Sequence, residues 1–237
     1  MKNRIWELDA FRGLCILGMV IVHFIFDLTE LFEIIHWDTP DLFSLVLNWG
    51  GMLFVLLSGI CATLGSRSIR RGIIVFFCGM LCTAVTSGMY LLDMAESYII
   101  IRFGVLHCLG ICMMLWQLFR RLPTWMLAIL AVTAIAAGFY VDTLPRTDVY
   151  YYMPFGLPWK GFSTSDYFPL LPYLGWFLLG SVVGRRVYGK GETLLPTLNP
   201  QKPVLRFLRF CGRHSLWIYL LHQPILSGGL MLLSLLK

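Results

Sequence analysis

The sequence is short of charge. Only 14% of its 237 residues are Asp, Glu, Lys or Arg, while 58% are hydrophobic and the mean hydropathy is +0.74. A soluble domain carries about 25% charged residues. So little solvated surface excludes a water-soluble globular domain, a disordered chain, a nucleic-acid-binding module and a disulfide-stapled secreted fold. The chain also lacks a Gly-rich phosphate loop, a dinucleotide fingerprint and a His-Glu-x-x-His pair. Nucleotide hydrolysis and zinc proteolysis therefore have no support, and no metal is expected. No internal repeat is apparent, which counts against a transporter of inverted-repeat design. Of seven cysteines, six (Cys15, Cys61, Cys78, Cys82, Cys108 and Cys112) lie in apolar runs and Cys211 opens the last run. They read as small buried hydrophobes rather than ligands.

What the chain does have is long apolar runs. About 20 residues cross the hydrocarbon layer as a helix, and such stretches lie near 14–35, 42–64, 72–92, 98–119, 122–141, 170–188 and 210–236. They are continuous rather than alternating, which speaks against a β-barrel. The expectation is an all-α, polytopic transmembrane bundle of about seven spans, forming one integral domain over 1–237. The first span is too long for a signal-peptide core and has no cleavage site after it.

Charge placement predicts orientation. A cytoplasmic N-terminus puts Lys2, Arg4, Arg12, Arg67, Arg70, Arg71, Arg120, Arg121, Arg185, Arg186, Lys190, Lys202, Arg206, Arg209 and Arg213 inside. Only Arg102, Arg146, Lys160 and Lys237 then fall outside, together with the C-terminus. This is the bias of the positive-inside rule, so the +6 net charge reports topology and gives no reason to expect a nucleic-acid partner. Two links are long. Residues 143–169 form an outer loop rich in Pro, Tyr and Gly, readable as a functional lid or as aromatic side chains resting at the lipid interface. Residues 189–205 form a cytoplasmic loop. Gly72 and Gly79, and Gly175, Gly180 and Gly184, are expected to let helices approach closely.

The most informative stretch is RIWELDAFRGLCILGMVIVHFIFD. At about 100° per residue, Asp9, Arg12, His23 and Asp27 share one helix face. His23 lies roughly 16 Å beyond Arg12 along the axis. Ionisable groups at such depth belong in a protein interior or a wet cavity. Asp9 with Arg12 reads as an ion pair or a binding group. His23 with Asp27 reads as a buried hydrogen-bonded pair, or as a carboxylate-oriented general base. On the last span Ser215, Tyr219 and His222 are spaced i, i+4, i+7. His222, eleven residues past Cys211, reaches a depth comparable to His23. His107 begins the fourth span, so His23, His107, His222 and Asp27 are candidates for one polar cavity in the outer half. Asn48 on the second span is a candidate lining residue, His36 is a loop or catalytic histidine, and Asp166 is a helix cap or an acceptor contact. Arg12, Arg209 and Arg213 cluster at inner span ends, where positive-inside placement or a phosphate-rich donor accounts for them equally.

Taken in order, RIWELDAFRG, MVIVHFIFD, FVLLSG, SRSIRRG, FGVLHCLG, SDYFPLLPYLGWFLLG and FCGRHSLWIYLLHQPIL resemble a bacterial family related to the catalytic domain of heparan-alpha-glucosaminide N-acetyltransferase, within the transmembrane acyltransferases. The resemblance runs over nearly the whole chain. It implies transfer of an acetyl or other short acyl group from cytosolic acyl-CoA to an acceptor on the outer side, in a bacterial cytoplasmic membrane. The family's Asp-x-x-Arg-Gly motif falls on Asp9, Arg12 and Gly13. In the wider class an arginine is followed eleven residues later by a histidine, here Arg12 and His23. The lysosomal enzyme carries asparagine at the position matching His23, and its own histidine matches His36.

The implied machinery is therefore His23, Asp27, His36, His107 and His222 for catalysis. Asp9, Arg12, Arg209, Arg213, Ser215 and Tyr219 would bind acyl-CoA, and Asn48 and Asp166 the acceptor. His23 is the preferred base, with His222 or His107 at the oxyanion. The acceptor is a saccharide, amino sugar or other envelope molecule, lipids surround the protein, and a homodimer stays open. The alternatives are a permease or channel for a small polar solute or protons, using the same histidines as a relay, and a non-catalytic scaffold.

Overall fold

The computed structural model describes residues 5–31 and 41–235, with side chains described over 5–29 and 49–233. Eight α-helices account for most of these residues: α1 (Trp6–Phe26), α2 (Asp41–Leu64), α3 (Ser68–Leu91), α4 (Val105–Phe119), α5 (Thr124–Asp142), α6 (Leu170–Val187), α7 (Pro203–Arg213) and α8 (Ser215–Leu235). A single π turn, Asp27–Leu31, extends α1. Among the described residues extended pairing is confined to two isolated bridges, Phe103 with Tyr167 and Thr147 with Trp159. The fold is an all-α, membrane-type helical bundle. Among the described residues four helices are long and apolar enough to cross a membrane: Trp6–Thr29, Ser68–Leu91, Thr124–Asp142 and Ser215–Leu233. Trp49–Leu64 and Val105–Phe119 are shorter apolar helices.

The last expected span differs from its sequence reading. The run from 210 to 236 is two helices, with α7 ending at Arg213 and α8 starting at Ser215. His214 at the break takes φ −104° and ψ 16°, outside helical geometry, and its main-chain N–H donates back to Phe210 and Cys211. The expected loop over 189–205 likewise gives way to helix already at Pro203, a residue suited to a first helical position because its missing N–H is not needed there.

The chain forms two compact units, 1–54 with 191–237 and 55–190. In the first, α1 packs against α7 and α8. Glycine makes the α1–α7 contact possible: a Cβ on Gly13 would overlap the Leu208 carbonyl, and one on Gly212 would overlap the carbonyl of Asp9. These two contacts run in opposite senses along the helices, so α7 descends beside the start of α1.

In the second unit α3 packs on α4 and α5 on α6. Gly72, Gly79 and Gly175 lie at these contacts, while Gly180 and Gly184 of α6 face α2. Gly72 faces the Gly110 carbonyl, Gly79 the His107 ring, Gly175 the Ala131 carbonyl and Gly180 the Leu56 carbonyl. Phe77, Leu81 and Val85 of α3 point outward and are each more than half exposed. Large apolar side chains on the outside and small ones inside are the arrangement of helices whose solvent is lipid.

Gly180→Ala is expected to lower thermal stability in detergent by about 1–3 kcal/mol, because an added methyl has to displace main chain. Gly88→Ala, which meets nothing within 4 Å, is expected to be neutral or slightly stabilising. Equal unfolding temperatures for the two variants would contradict this packing.

Candidate active site on the first and last helices

Helix α1 places its polar residues against α7 and α8. Near its start Asp9 is buried, and the Arg213 Nε–H donates to Asp9 Oδ2 at 3.3 Å. Arg12 Nη1 lies 4.0 Å from Asp9 Oδ1. Arg209 donates from Nη1 to the Pro200 carbonyl at 3.0 Å, while its Nε–H is buried without an acceptor. Arg12 and Arg213 thus flank one carboxylate, and Arg209 stands one turn before Arg213 on α7 with a donor to spare. That donor set, with a buried N–H still unpaired, fits an anion rich in oxygen such as a phosphate. Gly13 of the Asp-x-x-Arg-Gly motif has a plain physical role here: it admits α7 so closely that Arg213 reaches Asp9. Glu7, which sequence reasoning passed over, is also buried. It accepts from the Thr193 hydroxyl and the Leu194 N–H, both at 2.7 Å, and so ties the segment that leads into α7 to α1.

Further along, His23 of α1 meets His222 of α8 edge to face, with ring centroids 4.8 Å apart and planes at 82°. Each ring is held in the same way. His23 Nδ1 lies 2.9 Å from the Met19 carbonyl oxygen, and His222 Nδ1 lies 2.6 Å from that of Tyr219. A carbonyl only accepts, so Nδ1 carries the proton. In each neutral imidazole Nε2 is then left with its lone pair. His222 Nε2 is buried and without a partner. Neutral His222 is therefore equipped to accept a proton at Nε2. Its approach to His23 does not come from one helix begun at Cys211. It comes from α8 itself, in which His222 lies seven residues, about 10 Å, beyond Ser215.

Asp27 is fully buried, but its partners are not the expected histidine. The Gln223 amide donates to Oδ1 at 2.8 Å and the Ser227 hydroxyl to Oδ2 at 3.0 Å, with Gln223 also donating to Ser227 Oγ at 3.0 Å. The carboxylate thus lies one turn from His23 without a hydrogen bond to it. Gln223 and Ser227 were missed in the sequence, although their i, i+4 spacing beside His222 marks a shared face. Ser215 and Tyr219 occupy the first two turns of α8, and the Tyr219 ring lies 5.6 Å from that of His222.

Of the remaining expected residues, His107 and Asp166 belong to the second unit. In the second unit, His107 Nδ1 accepts the Gly104 N–H at 3.2 Å, and Nε2 lies 3.3 Å from the Thr83 hydroxyl. Both nitrogens are committed to holding the start of α4 against α3. Asp166 Oδ2 accepts the Val105 N–H at 3.0 Å, so it caps α4 rather than α6. His36 and the Asn48 side chain lie outside the described residues. Among the described residues no group of three His, Cys, Asp or Glu side chains is placed to hold a metal ion.

The 143–169 loop closes on itself through Tyr150, Trp159, Phe162 and Tyr167, whose ring centroids follow one another at 4.7–4.9 Å. Arg102 lies over Trp159 at 5.3 Å. An open groove of about 560 Å³ beside them is lined by Asp142, Arg146, Thr164 and Tyr167 among others. The Tyr167 hydroxyl donates to the Met153 carbonyl at 2.6 Å, and burial, aided by the Asp142 charge, raises its pKa above the usual phenol value.

Gln223→Leu removes one of two donors from the buried Asp27 carboxylate and is expected to destabilise by about 1–3 kcal/mol. The Asp27→Leu, Gln223→Leu double variant is expected to be less unstable than the two single effects summed, because no unpaired carboxylate remains. Thermal unfolding of the four proteins measures this coupling, and strict additivity would refute it.

Comparison with curated proteins and with solved structures gave no match. Residues 4–224 match the family model described as heparan-alpha-glucosaminide N-acetyltransferase, catalytic. That interval contains the Asp9–Arg12–Gly13 motif, the His23–His222 pair and Gln223. The chain belongs to this family.

Proposed function

We propose that the protein is a multi-pass membrane acyltransferase that moves an acetyl or other short acyl group from cytosolic acyl-CoA to a saccharide, amino sugar or other envelope acceptor on the outer side. The observation that carries this reading is the His23–His222 pair. Two imidazoles on different helices each turn Nδ1 to a main-chain carbonyl, leaving Nε2 as the nitrogen available to substrate, in a chain whose family is named for an acetyltransferase catalytic domain. Seven spans with the N-terminus in the cytoplasm place Arg12, Arg209 and Arg213 on the acyl-CoA side, consistent with the basic-residue bias. In this arrangement the arginines hold the phosphates of CoA.

The chemistry requires a base and a positioned acceptor. An acceptor N–H or O–H gives its proton to Nε2 of His23, or to that of His222, while its lone pair attacks the thioester carbonyl carbon. The tetrahedral intermediate collapses, the C–S bond breaks, and the CoA thiolate recovers the proton from the imidazolium. Gln223 and Ser227 hold Asp27 beside the pair, where its negative charge stabilises the imidazolium at a distance. His107 serves α4 and takes no part in proton transfer.

Purified His23→Ala and His222→Ala proteins are each expected to lose at least about 100-fold in acetyl-CoA turnover, the lower end of what a general base contributes, while retaining the fold. His107→Ala is expected to act on stability. Thiol release, followed with each proposed acceptor class, provides the measurement. Normal turnover by both folded histidine variants would overturn the assignment, with His36→Ala then the variant to identify the base. Solute flux without thiol release would instead establish a permease.

A further inference from the structure

Helix α7 carries three strips of different chemistry. Leu208, Cys211 and Gly212 face α1, and the last two are buried. Phe207 and Phe210, three residues apart, are 57% and 59% exposed, and the His214 ring packs on Phe210 with centroids 4.4 Å apart. Arg206, Arg209 and Arg213 form the third strip, beside the aromatic one at about 100° per residue. There is no acidic residue in the helix.

We propose that α7 lies in the membrane interface and binds anionic phospholipid. Two phenylalanines held out from a docked helix need an apolar medium, and the adjoining arginines need anions. The boundary of a bilayer containing acidic lipids supplies both within one helix width. Continuity supports that occupant over a soluble anion, since α7 is clamped by its glycine contact to α1 and leads directly into α8, both long and apolar enough to span. Arg206 is the residue best suited to a headgroup: it is exposed, and no hydrogen bond or ion pair engages its side chain among the described residues. Arg213 reaches Asp9 from the same strip, so lipid held by α7 steadies the α1–α7 contact.

The test uses the full chain in detergent, titrated with phosphatidylglycerol or phosphatidylcholine, with thermal unfolding and native mass spectrometry as readouts. Phosphatidylglycerol is expected to raise the unfolding temperature and to remain bound, and phosphatidylcholine to do neither. Arg206→Gln is expected to weaken phosphatidylglycerol binding about fivefold, the change equivalent to about 1 kcal/mol for one surface arginine. Phe207→Ser with Phe210→Ser is expected to abolish the selective rise in unfolding temperature. Equal effects of the two lipids, or an undiminished phosphatidylglycerol effect in both variants, would overturn the proposal. So would reproduction of the whole effect by inorganic phosphate, which would show a site for soluble anions. None of these outcomes depends on acyl-CoA turnover.

Discussion

Asp27 is a carboxylate with no exposed surface on a helix apolar enough to cross a membrane, and its position governs how α1 and α8 meet. A charge there has to be met by donors supplied within the protein, since lipid supplies none. Gln223 and Ser227 provide them from one face of α8. Satisfying both oxygens fixes the rotation of α8 about its axis, and that rotation brings His222 to the ring of His23 one turn earlier. The same logic operates at the other end of α1, where Asp9 receives Arg213 from α7. The polar groups of α1 thus register the three helices against one another, while glycine sets how near they come.

This register was partly legible in the sequence. The shared face of Asp9, Arg12, His23 and Asp27 followed from spacing alone, because helix periodicity and burial cost constrain it. The small-residue positions were legible for the same reason: glycine in an apolar run has few uses besides contact. What could not be read was partner choice. Whether Asp27 takes an imidazole one turn back or an amide from another helix depends on the rotation of α8, which no local pattern encodes. The break at His214 was also hidden, since CGRHSL carries neither proline nor an unambiguous cap. His107 looked like His222 in the sequence. Gly104 and Thr83 occupy its two nitrogens, and that difference is tertiary.

Family membership and geometry point the same way without repeating each other. The match over residues 4–224 names a catalytic domain. The coordinates add the reason its Asp-x-x-Arg-Gly motif has this form: aspartate and arginine provide charge, and glycine clears the path for the partner helix. Charge and close packing are served by neighbouring residues of one motif, so changes within it affect both together.

The tie between His23 Nδ1 and the Met19 carbonyl bears on the asparagine that the lysosomal enzyme carries at the matching position. An asparagine side chain can make the same link through its amide N–H, so helix anchoring survives the exchange. The titratable nitrogen does not. Exchange at this one position therefore keeps an anchor to the preceding turn and puts a permanent dipole of similar reach in place of an imidazole.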